Sequence, residues 1–117
     1  MKKILIARKL IKSSEKYASR LFNTKLNIDD RLLMSDDLIN QSNDCDGILS
    51  TLSEKIDEDV ISKLSNKVKI ISNFAVGFGN IDIEAARKKN IRSQYLLAHY
   101  YYYGNTLLPG ITRKNNF

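Results

Sequence analysis

Short apolar runs alternate with amphipathic segments from the amino terminus to Ile91. The runs are rich in Ile, Leu and Val, which is typical of strands buried on both faces of a sheet. Four runs are predicted to be strands, of which the second is the weakest: Lys3–Ala7, Lys25–Ile28, Gly47–Thr51 and Val68–Phe74.

Each of the four segments that follow the runs carries helix signals, namely a capping residue and apolar residues at helical spacing. The predicted caps are Ser13, Ser35, Asp57 and Asp82, and the apolar positions after them are Tyr17, Leu21 and Phe22, then Leu38 and Ile39, then Val60, Ile61 and Leu64, and then Ile83 and Ala86. Asn90 suits the position just past the last helix.

Strands that alternate with helices at this spacing predict βαβ units and a parallel sheet. Right-handed crossovers then place helices on both faces. The predicted fold is α/β, a flavodoxin-like, doubly wound parallel sheet of four to five strands. Residues 1–91 would form this single domain.

Composition narrows the class of protein further. With 43% hydrophobic and 27% charged residues, the 117-residue chain is typical of a soluble globular protein. The net charge is +6, but both signs mix up to Ile91, so neither nucleic acid nor a membrane is expected as a partner. Cys45 is the only cysteine, which excludes an intrachain disulfide and fits a reducing cytoplasm. Its acidic neighbours predict an inert thiol.

The pattern stops after Ile91. Residues 92–117 hold five of the six tyrosines and the only proline, but no acidic residue. No strand or helix period is sustained there, so this stretch is predicted to be an atypical tail. His99, the only histidine, lies in it without a carboxylate nearby in the sequence, and no catalytic role is predicted for it.

A glycine-bearing loop, residues 75–80, follows the fourth run. Its Gly77-x-Gly79 resembles the start of a dinucleotide fingerprint, but the third glycine would fall at Asp82, whose carboxylate would repel pyrophosphate. Two interpretations remain open. Either the backbone N–H groups of Val76 and Gly77 hold a small carboxylate, or the loop is a structural turn that needs unusual φ at its two glycines.

Ser50-Thr51-Leu52-Ser53, at the end of the third run, should lie beside that loop at the same sheet edge. These residues either line a substrate pocket or only lead into the next helix. No cluster of Cys, His or spaced carboxylates predicts a metal site. A phosphoacceptor domain of the same architecture would need acidic residues at the ends of the first and third runs, where this chain has Ala7-Arg8 and Ser50-Thr51.

Three stretches carry a family likeness: KILIARKL, DCDGILSTLSEKIDEDVI and KVKIISNFAVGFGNIDIEAARKKNI. They resemble, in order, the amino-terminal part of D-isomer-specific 2-hydroxyacid dehydrogenases, nearest the glyoxylate/hydroxypyruvate reductase branch. NFAVGFGNID is the most specific element. Gly79 departs from the family, in which aspartate is common, and Ile11 replaces a frequent proline.

The resemblance implies a flavodoxin-like substrate domain that works with a separate domain binding NAD or NADP. It implies that the amides of Val76 and Gly77 hold the carboxylate of a small 2-keto or 2-hydroxy acid, and that Leu52 lines the same pocket. Full-length relatives are expected to be homodimers. The catalytic arginine, glutamate and histidine of such enzymes come later in their chains, so no catalytic or cofactor-binding residue is assigned here.

The likeness ends after Ile91, where the family continues into a fifth strand and a Thr-Asn-Thr-Pro-like turn. We hypothesise that residues 92–117 are a frame-shifted end to a truncated gene. Translation of the gene past codon 91 in the other two frames tests this, since neither frame would show a family-like continuation if the hypothesis were wrong.

The sequence thus predicts a substrate-domain fragment of an oxidoreductase, inactive by itself because hydride transfer needs a held nicotinamide and an acid/base. The alternative is a stand-alone flavodoxin-like module that binds or senses a small carboxylate. A nucleic-acid binder using the Tyr-rich tail ranks last.

Overall fold

The computed structural model describes residues 1–95, which form a five-stranded parallel sheet with four helices. The strands are β1 (Lys3–Ile6), β2 (Asn23–Lys25), β3 (Gly47–Ser50), β4 (Ile70–Asn73) and β5 (Arg92–Tyr95). The helices are α1 (Lys12–Leu21), α2 (Ser35–Gln41), α3 (Glu58–Lys63) and α4 (Ile83–Lys88).

The strand order is β2-β1-β3-β4-β5, and every neighbouring pair is parallel. The chain therefore starts near the middle of the sheet, winds outward through β2, and returns past β1 to build the other half. This arrangement confirms the predicted doubly wound α/β fold. It also brings the loops after β3 and β4 side by side at the carboxyl edge of the sheet.

One face of the sheet carries the main core. Parallel register places Leu5 opposite Ile48, and Ile48 opposite Ile71, so the three side chains share a face. Each is at most 2% exposed, and burying such a side chain contributes about 1.5–3 kcal/mol. Residues from three helices join the same cluster: Leu38 of α2, Val60 and Ile61 of α3, and Ala86 of α4.

The opposite face is covered differently. Helix α1 lies there, next to β2, and the hydroxyls of Ser19 and Thr24 are 2.9 Å apart. It buries none of its residues, although its sequence predicted an apolar face for the core. Tyr17 is 58% exposed and Leu21 is 51% exposed. The periodicity was sufficient to predict the helix, but not how deeply it packs.

Two of the four predicted caps are wrong. Helix α1 begins at Lys12, one residue before the expected Ser13, and no side chain caps it. Helix α2 starts with Ser35 inside it, and the carboxylate of Asp37 accepts instead from the Met34 N–H, at 3.1 Å. The two aspartate caps are confirmed, since Asp57 accepts from Val60 N–H and Asp82 accepts from Ala85 N–H.

The second strand is also displaced from its prediction. It spans Asn23–Lys25 rather than Lys25–Ile28. Asn27 donates to the carbonyls of Ala7 and Arg31, and this closes a turn in which Asp30 has a φ of 52°. The turn bonds of Asn27 therefore end the strand early.

The sheet continues beyond the boundary that the sequence predicted at Ile91. Strand β5 pairs with β4 from Ile70 opposite Arg92 to Asn73 opposite Tyr95. Asn90, with a φ of 62°, and the buried Ile91 connect α4 to this strand. Ser93 and Tyr95, at alternate positions of β5, face the core side of the sheet. Two alternating residues are too short a pattern to predict a strand from the sequence.

Cys45 is fully buried beneath helix α2. Burial raises the pKa of its thiol, and the neighbouring Asp44 raises it further. This agrees with the inert thiol that the sequence predicted, with burial as the larger cause. Among residues 1–95, the helices are six to ten residues long, and none has the length and apolar character needed to cross a membrane.

Candidate functional site

The loops after β3 and β4 meet at the carboxyl edge of the sheet. Phe74 N–H donates to the carbonyl of Ser50 at 2.7 Å, just past the ends of the two strands. Further along, Ile56 N–H donates to the carbonyl of Asn80 and Asp82 N–H donates to that of Ile56, both at 2.9 Å. Ile56 and Ile81 thereby form an isolated parallel bridge, so the two loops are joined at both ends.

The β4–α4 loop presents unused backbone donors. Within residues 1–95, the N–H groups of Val76 and Gly77 make no hydrogen bond. The Val76 side chain is 62% exposed, so this part of the loop lies at the surface. Two consecutive free N–H groups suit an anion such as a carboxylate, which accepts from several donors at once.

Gly77 and Gly79 are not explained by backbone geometry. Neither has a φ in the left-handed region, and a Cβ built on either residue meets no atom within 4 Å. This overturns the interpretation in which the loop is a turn that needs unusual φ at both glycines. Neither backbone strain nor crowding requires glycine at these two positions. The lack of a side chain at Gly77 leaves open space next to its own free N–H.

The same loop does not fit a dinucleotide. The Asp82 carboxylate accepts from Ala85 N–H at 3.0 Å and so occupies the start of α4, where a pyrophosphate would have to lie. Helix α4 is only six residues long. The position of the Asp82 carboxylate argues against a NAD or NADP phosphate site in this loop.

The β3–α3 loop places Leu52 at the surface and links Thr51 to Ser53 and Glu54 by hydrogen bonds. Thr51 N–H donates to Glu54 Oε1 at 2.6 Å, and the hydroxyls of Thr51 and Ser53 are 2.7 Å apart. Ser50 is fully buried. Leu52 is 58% exposed, so its side chain is available at the surface.

A chain of polar side chains, buried at Ser50 and Asn73 and partly buried at Asn80, joins the two loops. Ser50 Oγ donates to Asn73 Oδ1 at 2.8 Å, and Asn73 Nδ2 donates to Asn80 Oδ1 and to the Gly77 carbonyl, both at 2.9 Å. Asn80 Nδ2 then donates to the carbonyls of Thr51 and Glu54, at 2.8 and 2.7 Å. Ser50 and Asn73 are 0% exposed, and their partners meet the hydrogen-bonding demand that burial imposes.

An ion pair fixes the outer side of the β3–α3 loop. Arg8, just past β1, donates through Nε to Asp30 Oδ1 and through Nη1 to Ser53 Oγ, each at 2.8 Å. The guanidinium, together with the N–H of Lys9, lowers the pKa of Asp30 to about 2. Ser53 is thus held between Arg8 and Thr51.

Ring contact extends the site toward β5. Phe78 of the β4–α4 loop and Tyr95 of β5 pack edge to face, with 4.7 Å between ring centroids and an interplanar angle of 85°. Such pairs contribute about 0.5–1.5 kcal/mol beyond area burial. The last described residue therefore supports the glycine-bearing loop.

Sequence reasoning missed the buried polar chain. The signal that could have found part of it is the placement of Ser50 and Asn73 at the ends of two neighbouring apolar runs, because a polar residue there is either a ligand or must find a partner. Nothing in the sequence marks Glu54 as buried, since Ser53 and Lys55 flank it.

His99 and the tyrosines Tyr100–Tyr103 lie outside the described residues. Within residues 1–95, no three His, Cys, Asp or Glu side chains group closely enough to hold a metal ion.

An open doubly wound sheet with a donor loop at its carboxyl edge defines a class of α/β domains that bind small ligands there. Residues 4–94 of the chain match the family described as "D-isomer specific 2-hydroxyacid dehydrogenase, catalytic domain". The chain belongs to this family, as its sequence motifs predicted. The match runs three residues past Ile91 and into β5.

Similar curated proteins include a glyoxylate reductase of Thermococcus onnurineus, 34% identical over 89 residues, and a glycerate dehydrogenase of Hyphomicrobium methylovorum, 31% identical over 91 residues. The alignments cover 76% and 78% of this chain but 26% and 28% of those proteins. The chain thus spans about a quarter of the length of these relatives.

Solved structures show the same relationship. The similar ones include a D-isomer specific 2-hydroxyacid dehydrogenase from Polaromonas, with a TM-score of 0.77, 26% identity and coverage of 80% of this chain and 30% of that one. An NAD+-bound 3-phosphoglycerate dehydrogenase of Entamoeba histolytica has a TM-score of 0.69 and 26% identity, and the match covers 80% of this chain and 32% of that one.

Proposed function

We propose that this chain provides the substrate-binding part of an NAD(P)-dependent D-2-hydroxyacid dehydrogenase of the glyoxylate/hydroxypyruvate reductase kind. In this proposal the amides of Val76 and Gly77 hold the carboxylate of a small 2-keto or 2-hydroxy acid. Leu52 lines the same pocket from the neighbouring loop.

One observation carries the proposal. The consecutive N–H groups of Val76 and Gly77 are unused, and a Cβ built on Gly77 would meet no other atom within 4 Å. Hydrogen bonds to a charged acceptor contribute about 1.5–3 kcal/mol each. Two such bonds correspond to a dissociation constant on the order of millimolar, which suits a site that uses other groups for tighter binding.

The cofactor in this proposal is NAD or NADP, and its binding is assigned to none of residues 1–95. One relative of known structure is described as NAD+-bound, which supports the class of cofactor. The asparagine-linked loops supply positioning of the acid, and no step of hydride transfer is assigned to them.

The proposal is tested by adding a methyl group where the structure shows room for it. Gly77→Ala fills the space beside the free amides, whereas Gly79→Ala adds the same atoms two residues away in the same loop. We expect both variants to unfold at the wild-type urea concentration, because neither new Cβ contacts another atom. Glyoxylate titrations followed by the amide NMR signals of Val76 and Gly77 give the affinity.

We expect Gly77→Ala to bind glyoxylate at least about tenfold more weakly, since the methyl group displaces the ligand. Gly79→Ala should retain the wild-type affinity. The proposal is wrong if glyoxylate leaves the two amide signals of the wild-type chain unchanged, or if both variants bind as the wild type does.

A further inference from the structure

The side-chain amides of the buried Asn73 and the partly buried Asn80 have a fixed orientation. Asn80 Nδ2 faces two carbonyls, those of Thr51 and Glu54, so nitrogen and not oxygen must occupy that position. Its Oδ1 therefore accepts from Asn73 Nδ2, which leaves Asn73 Oδ1 to accept from the Ser50 hydroxyl. The orientation of the Asn80 amide thus determines that of the Asn73 amide, and the Asn73 amide determines the direction of the Ser50 hydrogen bond.

The two amides connect the parts of the loops that the proposed function uses. Asn73 holds the carbonyl of Gly77, the peptide group directly after the free N–H of that residue. Asn80 holds the carbonyls on either side of Leu52 and Ser53, at positions 51 and 54. A single path of side-chain amides thus runs from the Gly77 carbonyl to the backbone that carries Leu52.

Fold stability alone does not account for this arrangement. A buried hydrogen bond contributes only about 0.5–1.5 kcal/mol net, and apolar residues of the same shape often stabilise as well. Directional amides fix the rotation of the peptide groups they hold, which apolar packing does not.

We propose that Asn73 and Asn80 are positioning residues that aim the Val76 and Gly77 amides and set their separation from Leu52. The role rests on the proposed function, because it presumes that these amides bind a carboxylate. The two asparagines do not touch the ligand and act through the backbone that they hold.

The test uses Asn73→Ala and Asn80→Ala in the full chain, because these changes remove the links without adding charge near an anion site. The control is Ser42→Ala. Ser42, just past the end of α2, is 0% exposed and its hydroxyl donates to the Leu38 carbonyl at 2.6 Å, so the change removes a buried hydrogen bond away from the loops. Asn73→Ser and Asn80→Ser retain a donor and serve if an alanine variant does not fold.

Three quantities are measured for each variant: the urea midpoint, the glyoxylate affinity, and the hydrogen exchange and ¹⁵N relaxation of Val76 and Gly77 without ligand. We expect the asparagine variants to bind glyoxylate roughly five- to tenfold more weakly, with larger motion at both amides. Ser42→Ala should lose stability but retain the affinity and the loop dynamics of the wild type.

The outcomes separate the two proposals. If the asparagine variants fold and retain both the affinity and the rigid amides, the positioning role is refuted while carboxylate binding stands. If the wild-type chain binds no glyoxylate, the proposed function fails, and the relaxation data still decide whether the asparagines order the loop. If Ser42→Ala weakens binding as much as the asparagine variants do, the effect is one of general stability and the positioning role is refuted.

Discussion

The glycines of this protein differ in how much space surrounds them. Gly47 has no room for a side chain, since a Cβ there would lie 2.8 Å from Ile70 Cγ2 and 3.3 Å from the Ile70 carbonyl oxygen. Gly77 and Gly79 have open space around them. The first glycine lets β3 and β4 pack closely, whereas a side chain at either of the other two would meet no neighbour.

The pair of Arg8 and Asp30 gives a prediction about pH. The pKa of Asp30 falls from 3.8 to about 2 on folding, so its ionised form favours the folded state. This contribution is complete above about pH 5 and is lost as the pH falls through 2. We therefore expect Asp30→Asn to lower the melting temperature at pH 7 and to have a much smaller effect near pH 2.

Thermal unfolding of both proteins at the two pH values makes the measurement. Asparagine tolerates the positive φ at position 30, so the change tests the charge rather than the backbone. Asp29→Asn is the control, because Asp29 makes no ion pair within residues 1–95 and should behave as wild type at both pH values. A difference for Asp30→Asn as large at pH 2 as at pH 7 would contradict this account.

At the scale of elements, the helices differ in how deeply their side chains are buried. Helix α2 places Leu38 in the main core at 1% exposure, and α3 and α4 contribute to the same cluster. Helix α1 buries nothing. It is held at the surface by contacts with β2 and by local interactions, such as Arg20 stacked 5.5 Å above the Tyr17 ring.

This contrast predicts how leucine truncations act. We expect Leu38→Ala to lower the free energy of unfolding by about 2–5 kcal/mol, because it leaves a cavity in the main core. Leu21→Ala, the matched change in α1, should cost less than about 0.5 kcal/mol, because half of the side chain is already in water. Urea unfolding measures both. Equal losses would show that α1 is packed more tightly than the structure indicates.

At the scale of the whole molecule, one sheet edge carries all the features assigned to ligand binding. The loops after β3 and β4 meet there because those strands are neighbours and parallel. The small-acid site that we propose lies at this edge, and the Asp82 carboxylate caps the start of α4 there.

We therefore expect the purified 117-residue chain to bind glyoxylate without catalysing its reduction. Hydride transfer needs a held nicotinamide and a positioned acid or base, and residues 1–95 supply neither. The measurement is the absorbance of NADH and of NADPH in the presence of glyoxylate. Steady consumption of either cofactor, absent from a Gly77→Ala control, would contradict this expectation.

The sequence by itself determined the fold class, the family and the two aspartate caps. These depend on local signals: buried runs such as residues 47–51, helix periods between them, and the motif around Gly77. Local patterns survive in the folded chain because each element must bury its own apolar side. The sequence also pointed to the amides of Val76 and Gly77, although it left their role open between a ligand site and a turn.

Only the tertiary structure decided what these residues contact. The shallow packing of α1, the shifted β2 and the strand at Arg92–Tyr95 depend on neighbours far away in the chain. The same is true of the link from Asn73 through Asn80 to the carbonyl of Thr51, which joins residues up to 29 positions apart. A polar residue in a sequence shows only that it needs a partner, and the fold determines which partner is within reach.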